Sequence, residues 1–140
     1  MTAAYLLDTN TVTAILRGDP HVLGNLRARV NENHRILFSV VVYYEIKRGL
    51  LKRDTMDRLA TFEELVRHWE WLNVERHHWE AAAALWAKCQ RSGIATTDVD
   101  LLLAVQARHA RATVVTHDND FEYLDVMRED WFSATPESGS

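Results

Sequence analysis

Four acidic residues stand where a folded chain could gather them into one site. Asp8 ends an apolar segment near the N-terminus, and Asp118 follows a second apolar segment by two residues. Asp100 opens the helical pattern TTDVDLLLAVQA, and Glu45 is a charged residue in an otherwise apolar first turn and a half of helix. Because ligands of an open parallel sheet bind at the carboxyl ends of its strands, we expect these four carboxylates to converge on one crevice.

Such a cluster has a definite chemical use. Mg²⁺ and Mn²⁺ are hard cations that prefer oxygen ligands, and carboxylates this close cannot all remain ionised without a cation. A bound ion would activate a water molecule and neutralise charge on a phosphate and its leaving oxygen. The chain has no Ser-His-Asp order, P-loop or HExxH motif that would favour another chemistry. We therefore interpret the cluster as a candidate site for metal-dependent hydrolysis.

The elements that must position these residues alternate along the chain. Four apolar segments predict strands, at 4–8, 36–40, 72–75 and 113–116. The intervening segments predict helices near 10–17, 20–33, 41–52, 55–70, 77–92 and 98–110. Strands this apolar, separated by helices of this length, are typical of an α/β protein whose parallel sheet of four or five short strands carries helices on both faces.

Length and composition indicate one domain. A chain of 140 residues with 47% hydrophobic content can form one sizeable core, which we assign to residues 1–132. The segment 133–140, SATPESGS, has the composition of a disordered tail. The single cysteine, Cys89, rules out a disulfide framework or a cysteine-rich zinc site. Because the chain has neither an apolar run of about 20 residues nor a signal-like start, we expect a cytoplasmic protein that does not enter the membrane.

The charge balance is unusual for an enzyme that acts on nucleic acid. The formal net charge is -4, whereas phosphate binding usually draws on a basic surface. Acidic metal ligands account for part of this charge until an ion is bound. Lys47, Arg48, Lys52 and Arg53 form a local basic cluster, which we interpret as a possible RNA-binding surface beside Glu45.

Five segments of the chain form an ordered set of motifs. They are YLLDTN at 5–10, SVVVYYEIKRGL at 39–50, DLLLAVQA at 100–107, VVTHDNDF at 114–121 and EDW at 129–131. Taken together, in this order and at these intervals, they resemble the motifs of VapC-type PIN-domain toxins of type II toxin–antitoxin systems.

The resemblance implies a PIN-like three-layer fold and a catalytic site made of Asp8, Glu45, Asp100 and Asp118. Among these, it implies Asp8, Asp100 and Asp118 as ligands of Mg²⁺ or Mn²⁺. Two further residues, Asn10 and Thr116, match family positions that orient the carboxylates.

The resemblance also implies a function and partners. The activity would be that of an endoribonuclease that cleaves tRNA or other structured RNA by metal-activated water. The partners would be a VapB-like antitoxin and a second copy of the chain, which gives a homodimer and, with antitoxin, a heterotetramer or larger assembly.

The fourth carboxylate has two rivals. Asp98 lies two residues before Asp100, so at about 100° per residue it points some 200° away on the helix. Asp120 directly precedes Phe121, and we expect it to cap a short turn there. Asp118 is therefore expected to complete the metal site.

Ordinary structural roles are open to the same acids. Asp8 could cap a helix, Glu45 could pair with Arg48, and Asp100 could form a capping box with Thr97. On this interpretation the chain would be a catalytically inactive PIN-like protein that binds RNA or antitoxin.

A further alternative is a haloacid-dehalogenase-like phosphatase. In that case Asp8 would be the nucleophile, and Asn10 would stand where an acid is expected.

Other residues that could do chemistry are assigned to the fold. His77 and His78 are adjacent and His109 has no partner at a helical offset, so we expect surface or core histidines rather than ligands. Four tryptophans lie among apolar helix positions, which is typical of a core or a dimer interface. They are Trp69, Trp71, Trp79 and Trp86.

Overall fold

The computed structural model describes residues 2–133. Its five strands are β1 (Ala4–Leu7), β2 (Arg35–Ser39), β3 (Glu70–Leu72), β4 (Thr113–Val115) and β5 (Arg128–Glu129). All neighbouring strands are parallel, in the order β3-β2-β1-β4-β5. The parallel α/β architecture predicted from the sequence is confirmed. Of the tail assigned to 133–140, residues 134–140 lie outside the described part of the chain.

Six α-helices join and cover the strands on both faces. They are α1 (Thr9–Arg17), α2 (Pro20–Asn31), α3 (Val40–Lys52), α4 (Met56–Val66), α5 (Arg76–Arg91) and α6 (Asp98–Ala110), followed by a 3₁₀ turn at Asn119–Tyr123. The prediction that the fourth helix runs to residue 70 was wrong, because α4 ends at Val66 and the Trp71 indole N–H donates to the Val66 carbonyl (2.9 Å).

The third strand lies two residues earlier than predicted. It pairs with β2 through Glu70 opposite Leu37 and Leu72 opposite Ser39. Of the predicted segment 72–75, only Leu72 is in the strand; residues 73–75 leave the sheet, and the Asn73 carbonyl accepts a hydrogen bond from the Gln106 side chain (3.1 Å). This segment is apolar enough to resemble a strand, but it is used to enter α5.

Burial explains why β1 and α6 form the centre of the molecule. All four residues of β1 are buried, and so are eight consecutive residues of α6 at 100–107. Inside this core Ser39 donates its hydroxyl to the Gln106 side-chain oxygen (2.7 Å), which satisfies two buried polar groups.

Three helices begin at the same edge of the sheet. Asp8 caps α1 and Ser39 caps α3 directly after strands β1 and β2, while Thr97 caps α6, which runs back towards β4. Their N-termini therefore meet the carboxyl ends of the strands, where a parallel sheet binds ligands.

Among residues 2–133, no helix is both long enough and apolar enough to span a bilayer.

Candidate active site

Asp8 is a buried carboxylate held by two hydrogen bonds. Asp8 is only 5% exposed to solvent. One oxygen accepts from the backbone N–H of Thr9 (2.7 Å), and the other accepts from the Thr116 hydroxyl (2.8 Å). Burial raises the pKa of Asp8, the two hydrogen bonds oppose that effect, and the charges of Glu45 and Asp118 add to the rise.

Thr116 links the first and fourth strands. Besides donating to Asp8, its hydroxyl accepts from the Asn10 side chain (3.3 Å) and from the backbone N–H of Asp118 (3.0 Å). The oxygen of Asn10 in turn accepts from the backbone N–H of His117 (3.1 Å). Asn10 and Thr116 thus join the carboxylate of Asp8 to the loop that carries Asp118.

Glu45 enters the site from the second turn of α3. Its Oε1 accepts a hydrogen bond from the Thr9 hydroxyl (2.5 Å). Thr9 directly follows Asp8, so this bond holds Glu45 next to Asp8. Within residues 2–133 no ion pair joins Glu45 to Arg48, which instead lies over the Tyr44 ring at 5.1 Å. The helix-surface role considered for Glu45 is therefore not the one it has.

Asp100 has the most perturbed carboxyl group of the site. It is the third residue of α6, is 9% exposed, and its backbone N–H donates to the Thr97 hydroxyl (3.1 Å). Its pKa rises from 3.8 to about 6, first because of burial and then because of the charges of Asp8, Asp120 and Asp118. These groups are close enough to oppose one another's ionisation.

The acid that caps the turn after β4 is not the one expected from the sequence. Asp118, not Asp120, caps the turn before Phe121, since its side chain accepts from the Asp120 N–H (3.0 Å). The 3₁₀ turn begins directly after Asp118, which makes it the residue whose side chain can reach the free N–H groups. Asp118 still faces the site, because its charge raises the pKa of both Asp8 and Asp100.

The two rival acids lie in different places. The charge of Asp120 raises the pKa of Asp100, whereas the charges that raise the pKa of Asp8 are those of Glu45 and Asp118, so Asp120 lies at the margin of the cluster. Asp98 lines a separate groove with Trp79 and Trp86.

The donor set fits a hard divalent cation. Four carboxylates contribute to this edge, two of them in buried residues. Glu45 and Asp118 raise the pKa of the buried Asp8, and Asp8 and Asp118 raise the pKa of the buried Asp100. A cation among them would remove this repulsion, and oxygen donors of this kind suit Mg²⁺ or Mn²⁺. These side chains are Asp8, Glu45, Asp100 and Asp118.

A cavity of about 250 Å³ opens beside Glu45. It lies between α1, α3 and α4, and three arginines line it, Arg17, Arg53 and Arg58. Sequence reasoning found only Arg53, because the other two come from helices with no motif.

The remaining members of the predicted basic cluster are directed elsewhere. Lys47 donates to the Tyr43 hydroxyl (2.7 Å) and pairs with Glu63 (3.1 Å). Arg48 and Lys52 are exposed on α3, outside the residues that line the cavity.

The fold and this acidic edge define a class of protein. Residues 5–127 match the PIN domain family, and the chain belongs to it. This assignment confirms the resemblance seen in the five sequence motifs, and the phosphatase alternative was wrong.

Within that family the chain is similar to VapC-type proteins. It is 24% identical over 132 residues to Ribonuclease VapC1 of Haemophilus influenzae strain R2866, with 91% of this chain and 97% of that protein covered. The fold is that of VapBC2 from Rickettsia felis bound to a promoter DNA fragment (TM-score 0.83, 22% identity, 91% and 98% of the two chains). DNA-bound VapBC from Salmonella typhimurium is similar too (TM-score 0.81, 26% identity, 94% and 99% covered).

Proposed function

We propose that this chain is a metal-dependent endoribonuclease and the toxin of a VapBC-like pair, with tRNA or another structured RNA as its substrate. The observation that carries the proposal is the cluster of mutually opposed carboxylates at the carboxyl edge of a PIN-domain sheet. A curated relative named as a ribonuclease supports the activity.

The four acids would divide the work. Asp8, Asp100 and Asp118 would hold Mg²⁺ or Mn²⁺, which when bound supplies an activated water and neutralises charge on the phosphate. Thr9 holds one oxygen of Glu45, and the other oxygen accepts the proton of the attacking water. The hydrogen bonds of Asn10 and Thr116 fix the position of Asp8 relative to the loop after β4.

The arginine-lined cavity gives the RNA backbone a path to the acids. Arginine side chains bind phosphate through paired N–H donors, and the cavity contains both Arg53 and Glu45. The net negative charge of the chain is then compatible with RNA binding, because the positive charge is concentrated where the backbone must pass.

An exposed apolar face supports self-association. Trp79 and Trp86 on α5 are 56% and 48% exposed, and Tyr44 on α3 is 61% exposed. Leu102 of α6, itself buried, forms part of the floor of the two grooves beside these residues. We propose that this face forms the homodimer interface, since aromatic residues are enriched at such interfaces.

The antitoxin would be a VapB-like protein that blocks the acidic edge. The similar structures from Rickettsia felis and Salmonella typhimurium are VapBC complexes. An arginine from the antitoxin could pair with the acids of this edge by charge-assisted hydrogen bonds.

Cleavage of a mixed tRNA pool by purified protein tests the enzyme proposal. Wild-type protein with Mg²⁺ should cleave, chelator should stop it, and Asp8→Asn and Asp100→Asn should each abolish it. Asp98→Asn is the matched control, because it removes a carboxylate from the same helix but outside the cluster. RNA binding without cleavage would favour the inactive alternative, and chelator-resistant cleavage would contradict the metal site.

Growth assays test the toxin proposal separately. Expression of the chain alone should arrest growth, and co-expression with the adjacent open reading frame should restore it. If the protein cleaves RNA in vitro but its expression does not slow growth, the ribonuclease proposal stands and the toxin proposal is contradicted.

A further inference from the structure

Three histidines from two helices meet far from the acidic site. His77 and His78 lie in the first turn of α5, and His109 lies in the last turn of α6. Their ring centroids are 4.1 Å apart for His77 and His78, 4.8 Å for His77 and His109, and 5.4 Å for His78 and His109. His77 and His109 are exposed and His78 is buried, but packing of α5 against α6 gives each of them neighbours that no helical offset reveals.

We propose that His77, His78 and His109 bind a divalent transition-metal ion, Zn²⁺ in the first place, and that this ion clasps the start of α5 to the end of α6. One nitrogen from each imidazole lies within 4.8 Å of the others. Nitrogen ligands about 2.0–2.1 Å from a tetrahedral ion are about 3.4 Å apart, so small rotations of the two exposed rings close the site.

The hydrogen bond of His109 prepares it to be a ligand. Its Nδ1 lies 2.9 Å from the Val105 carbonyl, which can only accept, so Nδ1 carries the proton. The lone pair is then on Nε2. A histidine that donates one ring N–H to a carbonyl and offers the other nitrogen is the usual arrangement at metal sites.

His78 must change its hydrogen bond to take part. Its Nδ1 accepts from the backbone N–H of Glu75 (2.9 Å), so the neutral ring carries its proton on Nε2. Binding through Nε2 moves that proton to Nδ1, and the bond to Glu75 is lost. Loss of the hydrogen bond from the Glu75 N–H, seen as faster amide exchange, is therefore a specific sign of metal binding.

The buried member of the cluster, His78, is suited to bind a cation at neutral pH. Burial, together with His77 and His109, lowers the pKa of His78, while Glu75 opposes this. The His78 imidazole is thus neutral and has a lone pair available for a metal ion, whereas an ordinary histidine is partly protonated.

The site is distinct from the acidic edge in place and in preference. His109 follows Asp100 by nine residues of α6, which at 1.5 Å per residue is about 13 Å along the helix. Imidazole favours Zn²⁺, Ni²⁺ and Cu²⁺, whereas carboxylates favour Mg²⁺. The two sites can therefore be filled independently.

Zinc titration of the full chain, without a polyhistidine tag and with Mg²⁺ in excess, tests the proposal. Calorimetry should give one Zn²⁺ per chain and a Zn²⁺-dependent rise in Tm. The double variant His77→Ala/His109→Ala, which changes two exposed rings, should lose affinity by on the order of 100-fold. His21→Ala/His68→Ala, which removes two exposed histidines elsewhere, should bind as wild type does.

Two spectroscopic measurements separate this site from nonspecific zinc binding. Bound Co²⁺ should give the strong visible bands of a four-coordinate site made of three nitrogens and a water, and the Glu75 amide should exchange faster when Zn²⁺ is present. Circular dichroism checks that the double variant is folded. Equal Zn²⁺ affinity in the double variant, or wild-type affinity weaker than about 100 µM, would overturn the proposal.

Discussion

Replacing Asp100 by asparagine should stabilise the metal-free protein at neutral pH. The pKa of Asp100 is about 6 in the folded chain and 3.8 in its ordinary state, so the folded protein keeps the proton between these values after the unfolded chain has released it. Stability therefore falls as pH rises from 3.8 to 6 and stays low above that range. Asparagine carries no charge at any of these values, so the penalty disappears.

The size of the effect follows from the same two values. At 1.36 kcal/mol for each pH unit between about 6 and 3.8, the ionised carboxyl costs about 3 kcal/mol near neutral pH. Its low exposure of 9% leaves little solvent screening. The backbone N–H of Asp100 donates to the Thr97 hydroxyl whatever the side chain is, and the side-chain hydrogen bond with Thr97 only partly opposes the rise in pKa. A Tm rise on the order of 10 °C is expected for a domain of this size.

Thermal melting with chelator present, at about pH 7 and about pH 4, measures the effect. The variant should exceed wild type near neutral pH, and the two should converge in acid. Asp98→Asn is the control and should not raise Tm, because a carboxylate in the first turn of α6 is favoured by the helix dipole. A destabilised Asp100→Asn, or a gain that does not depend on pH, would refute the view that repulsion among the acids dominates this site.

Four further outcomes are expected. The cleaved RNA should carry 5′-phosphate and 3′-hydroxyl ends and be ligatable, whereas 2′,3′-cyclic phosphate ends would contradict attack by water. Asp118→Asn should raise the Mg²⁺ concentration needed for activity by about tenfold or more and Asp120→Asn much less, as measured by metal titration of the rate. The double variant Arg53→Gln/Arg58→Gln should raise KM for RNA with little change in kcat and reduce its salt dependence. Trp79→Asp should shift the mass measured by light scattering from dimer to monomer.

The acids were predictable because they follow from a rule about sheets. A parallel sheet brings the residues after its strands to one edge, so Asp8 and Asp118 had to be close once β1 and β4 were recognised as neighbours. Glu45 required only the short helical offset from β2. The sequence therefore carried the candidate site almost completely.

The features that sequence reasoning missed depend on contacts between helices. Arg17 and Arg58 reach one cavity from α1 and α4, and His109 reaches His77 across the α5–α6 contact. Such contacts depend on the angle and register of helix packing, which hydrophobic periodicity does not specify. The misplaced third strand has a similar cause, since pairing with β2 rather than local pattern determines where it lies.

The structural and chemical interpretations of Asp8 are not alternatives. A carboxylate has about four lone-pair positions, and capping α1 and accepting from Thr116 use one on each oxygen. The remaining positions are available to a cation, so the hydrogen bonds that stabilise the fold also orient the Asp8 carboxylate as a metal ligand. Asparagine at Asp8 would keep one acceptor oxygen and lose a buried bond, which offsets part of the gain from removing charge. Asp100 accepts no comparable pair of bonds, and its substitution therefore reports the repulsion in the acidic site more directly.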